Sequence, residues 1–427
     1  MGVAPRLVAL TEQLLGAPLP LRLRAWDGSE AGPAEGPVLL VRHRRALRRV
    51  LFRPGELGLA RAWVAGDLDV EGDLYQALTA LADLVWDRQR APAAPRMLAA
   101  VPELLALAGP LPLPVRPPRE ERRRRPGPAH TQRRDRRAIS HHYDVGNDFY
   151  ELVLGPSMVY SCAVWGPETD DLQDAQGAKL DLICRKLGLR PGQRLLDVGC
   201  GWGSLVLHAA QRYGVRAVGV TLSTEQAEYA RERIAKEDLT DRVEIRVQDY
   251  RQVTDGPFDA VASVGMAEHV GAARYQEYAE RLHRLLRPGG RLLNHQIARR
   301  PLPDESDYRI DPFIDAYVFP DGELAPVGRT VGLLERAGLE VRDLEALREH
   351  YARTLRCWVR NLEQGWDRAV RLVGPARARV WRLYMAASAL QFERGRIGVN
   401  QVLAVRPPDN GESRLPLRPR AWVELTS

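Results

Sequence analysis

The feature that most constrains this chain is the run Leu195-Leu-Asp-Val-Gly-Cys-Gly-Trp-Gly203, placed between an apolar segment at 194–198 and a helical pattern at 204–213. Glycines at 199, 201 and 203 let the backbone turn sharply and approach a ligand without a Cβ in the way, and the helix behind them offers unpaired N–H groups. The same alternation continues downstream. Strands are expected at 215–220, 243–247, 258–264 and 291–297, helices at 224–236 and 274–286, with Pro288-Gly-Gly290 as punctuation. Repeated βα units require an α/β fold with a mostly parallel sheet and helices on both faces.

The chain ahead of this pattern reads differently. Residues 1–108 mix short apolar runs such as Pro37-Val-Leu-Leu-Val41 with a helical stretch at 74–85, as in a smaller α+β domain. Residues 109–137 read as a linker, because Gly109-Pro-Leu-Pro-Leu-Pro-Val-Arg-Pro-Pro118 carries too many prolines for a helix or central strand. A catalytic domain over 138–406 and a tail over 407–427 complete the division. Charge is concentrated in the linker: Arg116 to Arg137 holds ten arginines against Glu120, Glu121 and Asp135, a surplus equal to the +7 of all 427 residues. So local a field suits an anionic membrane surface; a solvated spacer is the plainer reading. Nucleic acid is not an expected partner, since neither interleaved aromatics nor a nucleic-acid module accompanies the arginines, and a nucleic-acid methyltransferase or binder is the rival of another class.

The glycine turn is shared with dinucleotide sites, but its spacing is G-x-G-x-G rather than G-x-G-x-x-G. The second strand also ends in Thr221 instead of the acid that would hold an adenosine ribose. From Ile139 to Val405 an ordered set of words follows: Ile139-Ser-His-His-Tyr-Asp-Val-Gly-Asn-Asp148, Tyr160-Ser-Cys-Ala163, the 195–203 turn, Gly219-Val-Thr-Leu-Ser223, Gln248-Asp-Tyr-Arg251, Ser263-Val-Gly-Met266, Glu268-His-Val-Gly271 and Pro288-Gly-Gly290. In these words the chain resembles the cyclopropane-fatty-acyl-phospholipid synthases, among the class I S-adenosylmethionine-dependent methyltransferases, whose fold is a Rossmann-like sheet.

The resemblance implies a site for S-adenosylmethionine. Tyr160 and Ser161 would close over its methionine end; Asp197, Gly199, Cys200, Gly201 and Gly203 would meet the amino acid and ribose; Thr221, Leu222, Ser223 and Gln226 would touch the ribose and adenine side; Gln248 and Asp249 would hold the adenine. Ser223 and Gln226 also form an S-x-x-Q capping box, expected without any cofactor. The implied reaction is attack of a cis double bond of an unsaturated phospholipid chain on the sulfonium methyl, leaving a carbocation that must lose a proton. The resemblance implies a bound bicarbonate as base, in a shell of Cys162, Glu268, His295, the Ile297 backbone and Tyr351. Glu268 would accept its O–H, and His295 and Tyr351 would donate to it.

Two departures bear on the product. Tyr384-Met-Ala-Ala-Ser388 carries serine where the family pattern has cysteine, and Ala267 replaces a bulky residue before Glu-His-Val-Gly. A methylene- or methyl-branched product therefore stays open beside the cyclopropane. Phe149, Trp202, Tyr143 and Tyr317 suit either an acyl tunnel or the core. No metal is expected: the four cysteines form no C-x-x-C pair, and adjacent His141 and His142 point apart. With neither a spanning segment nor a signal-peptide pattern, the chain reads as cytoplasmic, peripherally held at the inner face of the cell membrane, with a homodimer compatible with the family.

Overall fold

The computed structural model describes residues 2–86, 94–109, 113–122 and 145–417. Most of the arginine-rich linker, Arg123 to Arg137, and the stretch with His141, His142 and Tyr143 lie outside the described residues. Two compact units are present. The first comprises Met1–Arg124, Asp311–Val318 and Val373–Leu390; the second comprises Arg125–Ile310, Phe319–Leu372 and Gln391–Ser427.

The first unit is α+β. Helix α1 (Val3–Leu15) leads into β1 (Arg22–Ala25), β2 (Glu30–Ala31) and β3 (Val38–Val41), followed by α2 (Arg45–Phe52), α3 (Glu56–Val64), β4 (Leu68–Glu71), α4 (Leu74–Trp86) and α5 (Ala94–Ala108). The sheet order is β2-β1-β3-β4, and Leu7, Leu10, Leu21, Leu23 and Val41 are in its core. The later segment 373–390 completes this unit: Trp63 Nε1 donates to the Arg379 carbonyl at 2.9 Å, and Arg379 Nε returns a bond to the Trp63 carbonyl at 2.6 Å. Arg379 also pairs with Asp69 at 3.1 Å.

The second unit opens with α6 (Asn147–Leu154) and α7 (Leu172–Leu187). It continues with β5 (Arg194–Val198), α8 (Ser204–Tyr213), β6 (Arg216–Thr221), α9 (Thr224–Lys236), β7 (Val243–Val247), β8 (Phe258–Val264), α10 (Tyr275–Leu285) and β9 (Leu286–Arg299). Helix α11 (Val327–Arg336), β10 (Glu340–Ala346), α12 (Arg348–Gln364), α13 (Trp366–Val373), α14 (Pro375–Glu393) and β11 (Ile397–Val405) close the chain; most of α14 counts to the first unit. The seven strands run in the order β7-β6-β5-β8-β9-β11-β10. Strands β5 to β9 pair in parallel, and β11 lies antiparallel between β9 and β10. Strand order reverses between β5 and β8, where open sheets of this kind place a ligand crevice beyond the carboxyl ends of their strands.

Side-chain alternation covers both faces. Leu195, Ala217 and Ala260 pack with Ile183, Val206 and Ile234 of α7 to α9, whereas Leu196, Val220 and Val261 pack with Tyr278 and Leu282 of α10 and Leu334 of α11. The expected punctuation at Pro288-Gly-Gly290 is not a break between elements. It lies within β9, where the register against β8 jumps from Phe258↔Leu286 to Ala260↔Arg291. Gly289 supplies the positive φ of +76° that this bulge needs.

Candidate active site

The glycine turn leaves β5 at its carboxyl end with Gly199, Gly201 and Gly203 at φ of +80°, +54° and +80°. All three therefore sit in backbone that favours glycine. At Gly203 a Cβ would lie 3.0 Å from the Ala230 Cβ; at Gly201 it would meet nothing within 4 Å, so space stays open there. Alongside lies a cleft of about 720 Å³ lined by Gly199, Thr221, Leu222, Gln226, Gln248 and Asp249, together with Met266 and His269. Six residues expected at a cofactor thus share one cavity.

Local bonding explains how the cleft is held. Ser223 caps α9 by accepting from the Gln226 N–H at 3.2 Å, one half of the capping box. The Gln226 side chain does not complete the box; its Oε1 accepts from Thr221 Oγ1 at 2.9 Å, linking the end of β6 to α9. Asp249 lines the cleft with its carboxylate already held by Arg251 at 2.8 and 2.7 Å. Gln248 donates to the Gln252 carbonyl at 3.0 Å.

Tyr160, Ser161, Asp197, Cys200, Gly201, Gly203 and Ser223 are not among the residues lining this cleft. The Tyr160 ring meets Tyr150 edge to face at 5.6 Å and lies tilted against Trp358 at 5.4 Å. Ser161 is buried and accepts from Lys179. Burial pushes the Cys200 thiol up and the Asp197 carboxyl up to about 7. Phe149 and Trp202 are buried, Trp202 donating to Asn147 Oδ1 at 2.8 Å. Tyr317, in the first unit, donates to Glu121 at 2.9 Å.

Of the five residues expected around an anion, Glu268 bonds to Ile297 on β9 two positions after His295, and Cys162 and Tyr351 meet at one backbone carbonyl. His295 and Ile297 project from the same face of β9, in register with Gln401 and Val399 of β11. The Ile297 N–H donates to Glu268 Oε1 at 2.7 Å, and Gln401 Nε2 lies 3.3 Å from His295 Nδ1. The Leu347 N–H donates to the Val399 carbonyl at 2.8 Å. The Leu347 carbonyl in turn accepts from the Tyr351 N–H at 3.1 Å and from the Cys162 thiol at 3.6 Å. The opposite face of β9 is fixed by a buried network: Tyr278 donates to Asn294 Oδ1 and accepts from the Ser263 hydroxyl, Asn294 donates to Gln296, and Gln296 to Thr330.

Three buried polar atoms on these residues and on Gln401, namely Glu268 Oε2, His295 Nε2 and Gln401 Oε1, have no hydrogen-bond partner among the described residues. Orphaned atoms of this kind in a native fold fit a site made for a polar ligand. Burial pushes the Glu268 carboxyl up to about 7 and the His295 imidazole down to about 3. His295 is therefore neutral at physiological pH, with one ring nitrogen, Nδ1, beside the Gln401 amide. Burial also pushes the Cys162 thiol up, so it remains an S–H donor.

A stability consequence follows. Folded Glu268 keeps its proton up to about pH 7, while the unfolded chain loses it near 4.5. The native state binds the extra proton over that interval, so this group's contribution to stability falls as pH rises from about 4.5 to about 7, by about 3 kcal/mol in all. Glu268→Gln removes it: relative to wild type the variant should gain up to about 3 kcal/mol between about pH 5 and about pH 7.5, read by urea denaturation without added bicarbonate.

Comparison with known proteins places this geometry. Residues 130–402 match the mycolic acid cyclopropane synthetase family. The chain is 46% identical over 409 residues to the "Probable fatty acid methyltransferase" of Mycobacterium tuberculosis, covering 94% of each. It is 39% identical over 270 residues to the cyclopropane-fatty-acyl-phospholipid synthase of Escherichia coli, covering 63% of this chain and 68% of that one. Among solved structures, mycolic acid cyclopropane synthase CmaA1 complexed with SAH and CTAB superposes with a TM-score of 0.60 at 34% identity, covering 63% of this chain and 98% of that one. With both the family match and the sheet order in agreement, the chain belongs to the mycolic acid cyclopropane synthetase family of S-adenosylmethionine-dependent methyltransferases.

Proposed function

We propose that the protein transfers the methyl group of S-adenosylmethionine to the cis double bond of an unsaturated phospholipid acyl chain and forms a cyclopropane ring. The observation that carries this reading is the pair of buried, unpartnered atoms Glu268 Oε2 and His295 Nε2, beside the bond from Ile297 to Glu268. In the reaction the alkene π pair forms a bond to the methyl carbon, the C–S bond breaks, and sulfur keeps its pair. The carbocation left on the chain closes the ring when the new methyl gives up a proton and its C–H pair becomes the second ring bond. Bound bicarbonate supplies the base for that proton.

The residues present fit such an anion. Glu268 accepts a hydrogen bond through Oε2, neutral His295 bonds through Nε2, Tyr351 donates through its hydroxyl, and Ile297 fixes the Glu268 carboxylate through its N–H. Cys162 stays protonated, its S–H turned to backbone carbonyls, and is not a nucleophile. Thr221, Leu222, Gln226, Gln248 and Asp249 hold the nucleoside in the cleft, and the 199–203 turn with Tyr160 and Ser161 holds the amino-acid end. The arginine-rich segment, most of it outside the described residues, supplies the contact with an anionic membrane. Among the described residues no helix is long and apolar enough to cross one.

Lipid mass spectrometry of a bacterial host expressing the chain tests the reaction. The expected product carries one added CH₂ and resists ozone cleavage at the former double bond. A product of equal mass that ozone still cleaves is a methylene branch, and one with additional hydrogens is a methyl branch; either replaces the cyclopropane assignment.

A further inference from the structure

The first unit carries a charged surface that the reading above does not use. Residues 42–59 hold six arginines, at 42, 44, 45, 48, 49 and 53, against the single acid Glu56. The segment folds as a hairpin of α2 and α3, drawn together at Gly58, where a Cβ would lie 3.0 Å from the Arg49 carbonyl oxygen and closer still to that of Arg53. Helical spacing sorts the side chains of α2. Ala46 and Arg49 are buried, whereas Arg45, Arg48 and Phe52, at i, i+3 and i+7, share another side. At the turn Phe52, Arg53, Pro54, Gly55 and Glu56 are all exposed, and Leu59 joins them one turn into α3. Phe52 and Leu59 keep 45% and 51% of their surface in solvent.

Part of the charge is answered inside the unit. Arg45 and Arg49 meet Asp67 at 3.1 and 2.8 Å, and Arg42 meets Asp69 at 3.0 Å. Arg48 donates to the Ala108 carbonyl at 2.9 Å. Among the described residues, neither Arg48 nor Arg44 nor Arg53 has a carboxylate within ion-pair distance. The arginine-rich segment starts along the same hairpin: the Arg116 carbonyl accepts from Arg49 at 2.9 Å, and Glu121 pairs with Arg61 of α3 at 2.6 Å. A single exposed apolar side chain is ordinary on a protein surface. Two on one tip, beside arginines without counter-ions, suit a surface that meets lipid headgroups with its charge and the acyl boundary with its apolar side chains. A nucleic-acid backbone would engage the arginines and leave Leu59 in water.

We propose that the α2–α3 tip is a membrane-docking surface of the first unit: Phe52 and Leu59 enter the headgroup boundary of an anionic bilayer while Arg44, Arg48 and Arg53 meet its phosphates. Its use as a way to the substrate rests on the phospholipid reading above. The tip is a folded contact that acts beside the arginine-rich segment.

Sedimentation of the full chain with phosphatidylcholine vesicles, with and without phosphatidylglycerol, tests the inference without requiring turnover. Arg44→Gln with Arg53→Gln should weaken binding to the anionic vesicles by about tenfold at low salt and by less than about twofold at high salt, because headgroup attraction fades as the Debye length shortens. Phe52→Ser with Leu59→Ser should weaken it by about tenfold at both salt concentrations, since burial of apolar surface is not screened. A cooperative thermal melt establishes that each variant is folded, and both should keep activity on detergent-dispersed lipid within about twofold of wild type. Phe52→Trp should add quenching by lipids brominated on their acyl chains to whatever the nine native tryptophans show. Equal partitioning of wild type and both double variants overturns the inference and leaves the membrane to the arginine-rich segment. So does a Phe52→Trp protein without added quenching, or a loss seen only when RNA or DNA replaces the vesicles. Tip-dependent vesicle binding by a protein that yields no methylated lipid overturns the phospholipid reading, whereas lipid product without tip-dependent binding overturns this inference alone.

Discussion

Glu268→Gln should cut turnover by at least about a hundredfold while leaving S-adenosylmethionine affinity within about twofold of wild type, in line with the loss of a group that organises proton transfer. The amide oxygen can still accept from the Ile297 N–H, so the backbone contact at 2.7 Å survives. The other end changes sign. Oε2, the buried acceptor without a partner, becomes an NH₂ donor facing a position where the proposed anion presents its own O–H. Nothing in the cleft that holds Thr221 and Gln226 is altered, because Glu268 is not among its lining residues. Single-turnover assays in bicarbonate-depleted and bicarbonate-supplemented buffer, paired with calorimetry, measure both quantities. Full activity of the variant in depleted buffer refutes the role of Glu268, and weakened cofactor binding with intact chemistry would move this residue to the cofactor site.

Gly201→Val should abolish cofactor binding, with a loss of more than about a hundredfold, for two additive reasons. A β-branched residue at φ +54° is strained by roughly 1–3 kcal/mol. Its methyls also enter the space that the protein leaves open at Gly201, which the proposed reading gives to the ribose and amino-acid part of the ligand. Gly201→Ala should pay part of the backbone cost and fill less of the space, so an intermediate affinity is expected. A folded Gly201→Val protein with unchanged affinity for S-adenosylhomocysteine rules out this loop as the binding element.

Much of the catalytic unit is legible from local sequence because its punctuation is local. Gly203 and Gly214 bound α8, Ser223 caps α9, and the strands at 194–198, 243–247 and 258–264 have the bounds that their apolar runs suggest. Pro288-Gly-Gly290 reads as a break because its residues are turn formers; pairing with β8 on one side and β11 on the other holds it inside a strand as a bulge. Lys179 is missed for a similar reason. A lysine in a helix with mixed polarity looks solvated, and only its burial and its bond to Ser161 show that it is enclosed. The words around Glu268, His295 and Tyr351 single out residue types, whereas the Leu347 carbonyl that joins Tyr351 to Cys162 is a backbone atom with no signature in sequence.

The bonds between Trp63 and Arg379 also bear on how the chain is made. The amino-terminal unit cannot finish its packing when its own first 124 residues have been synthesised, because residues 311–318 and 373–390 belong to it. Its Trp63, Leu68 and Asp69 wait for an arginine that arrives after most of the methyltransferase sheet has been translated. A ribosome therefore releases this protein with its earliest residues among the last to be locked in place, and a fragment cut at the linker would lack the segments that complete its own first unit.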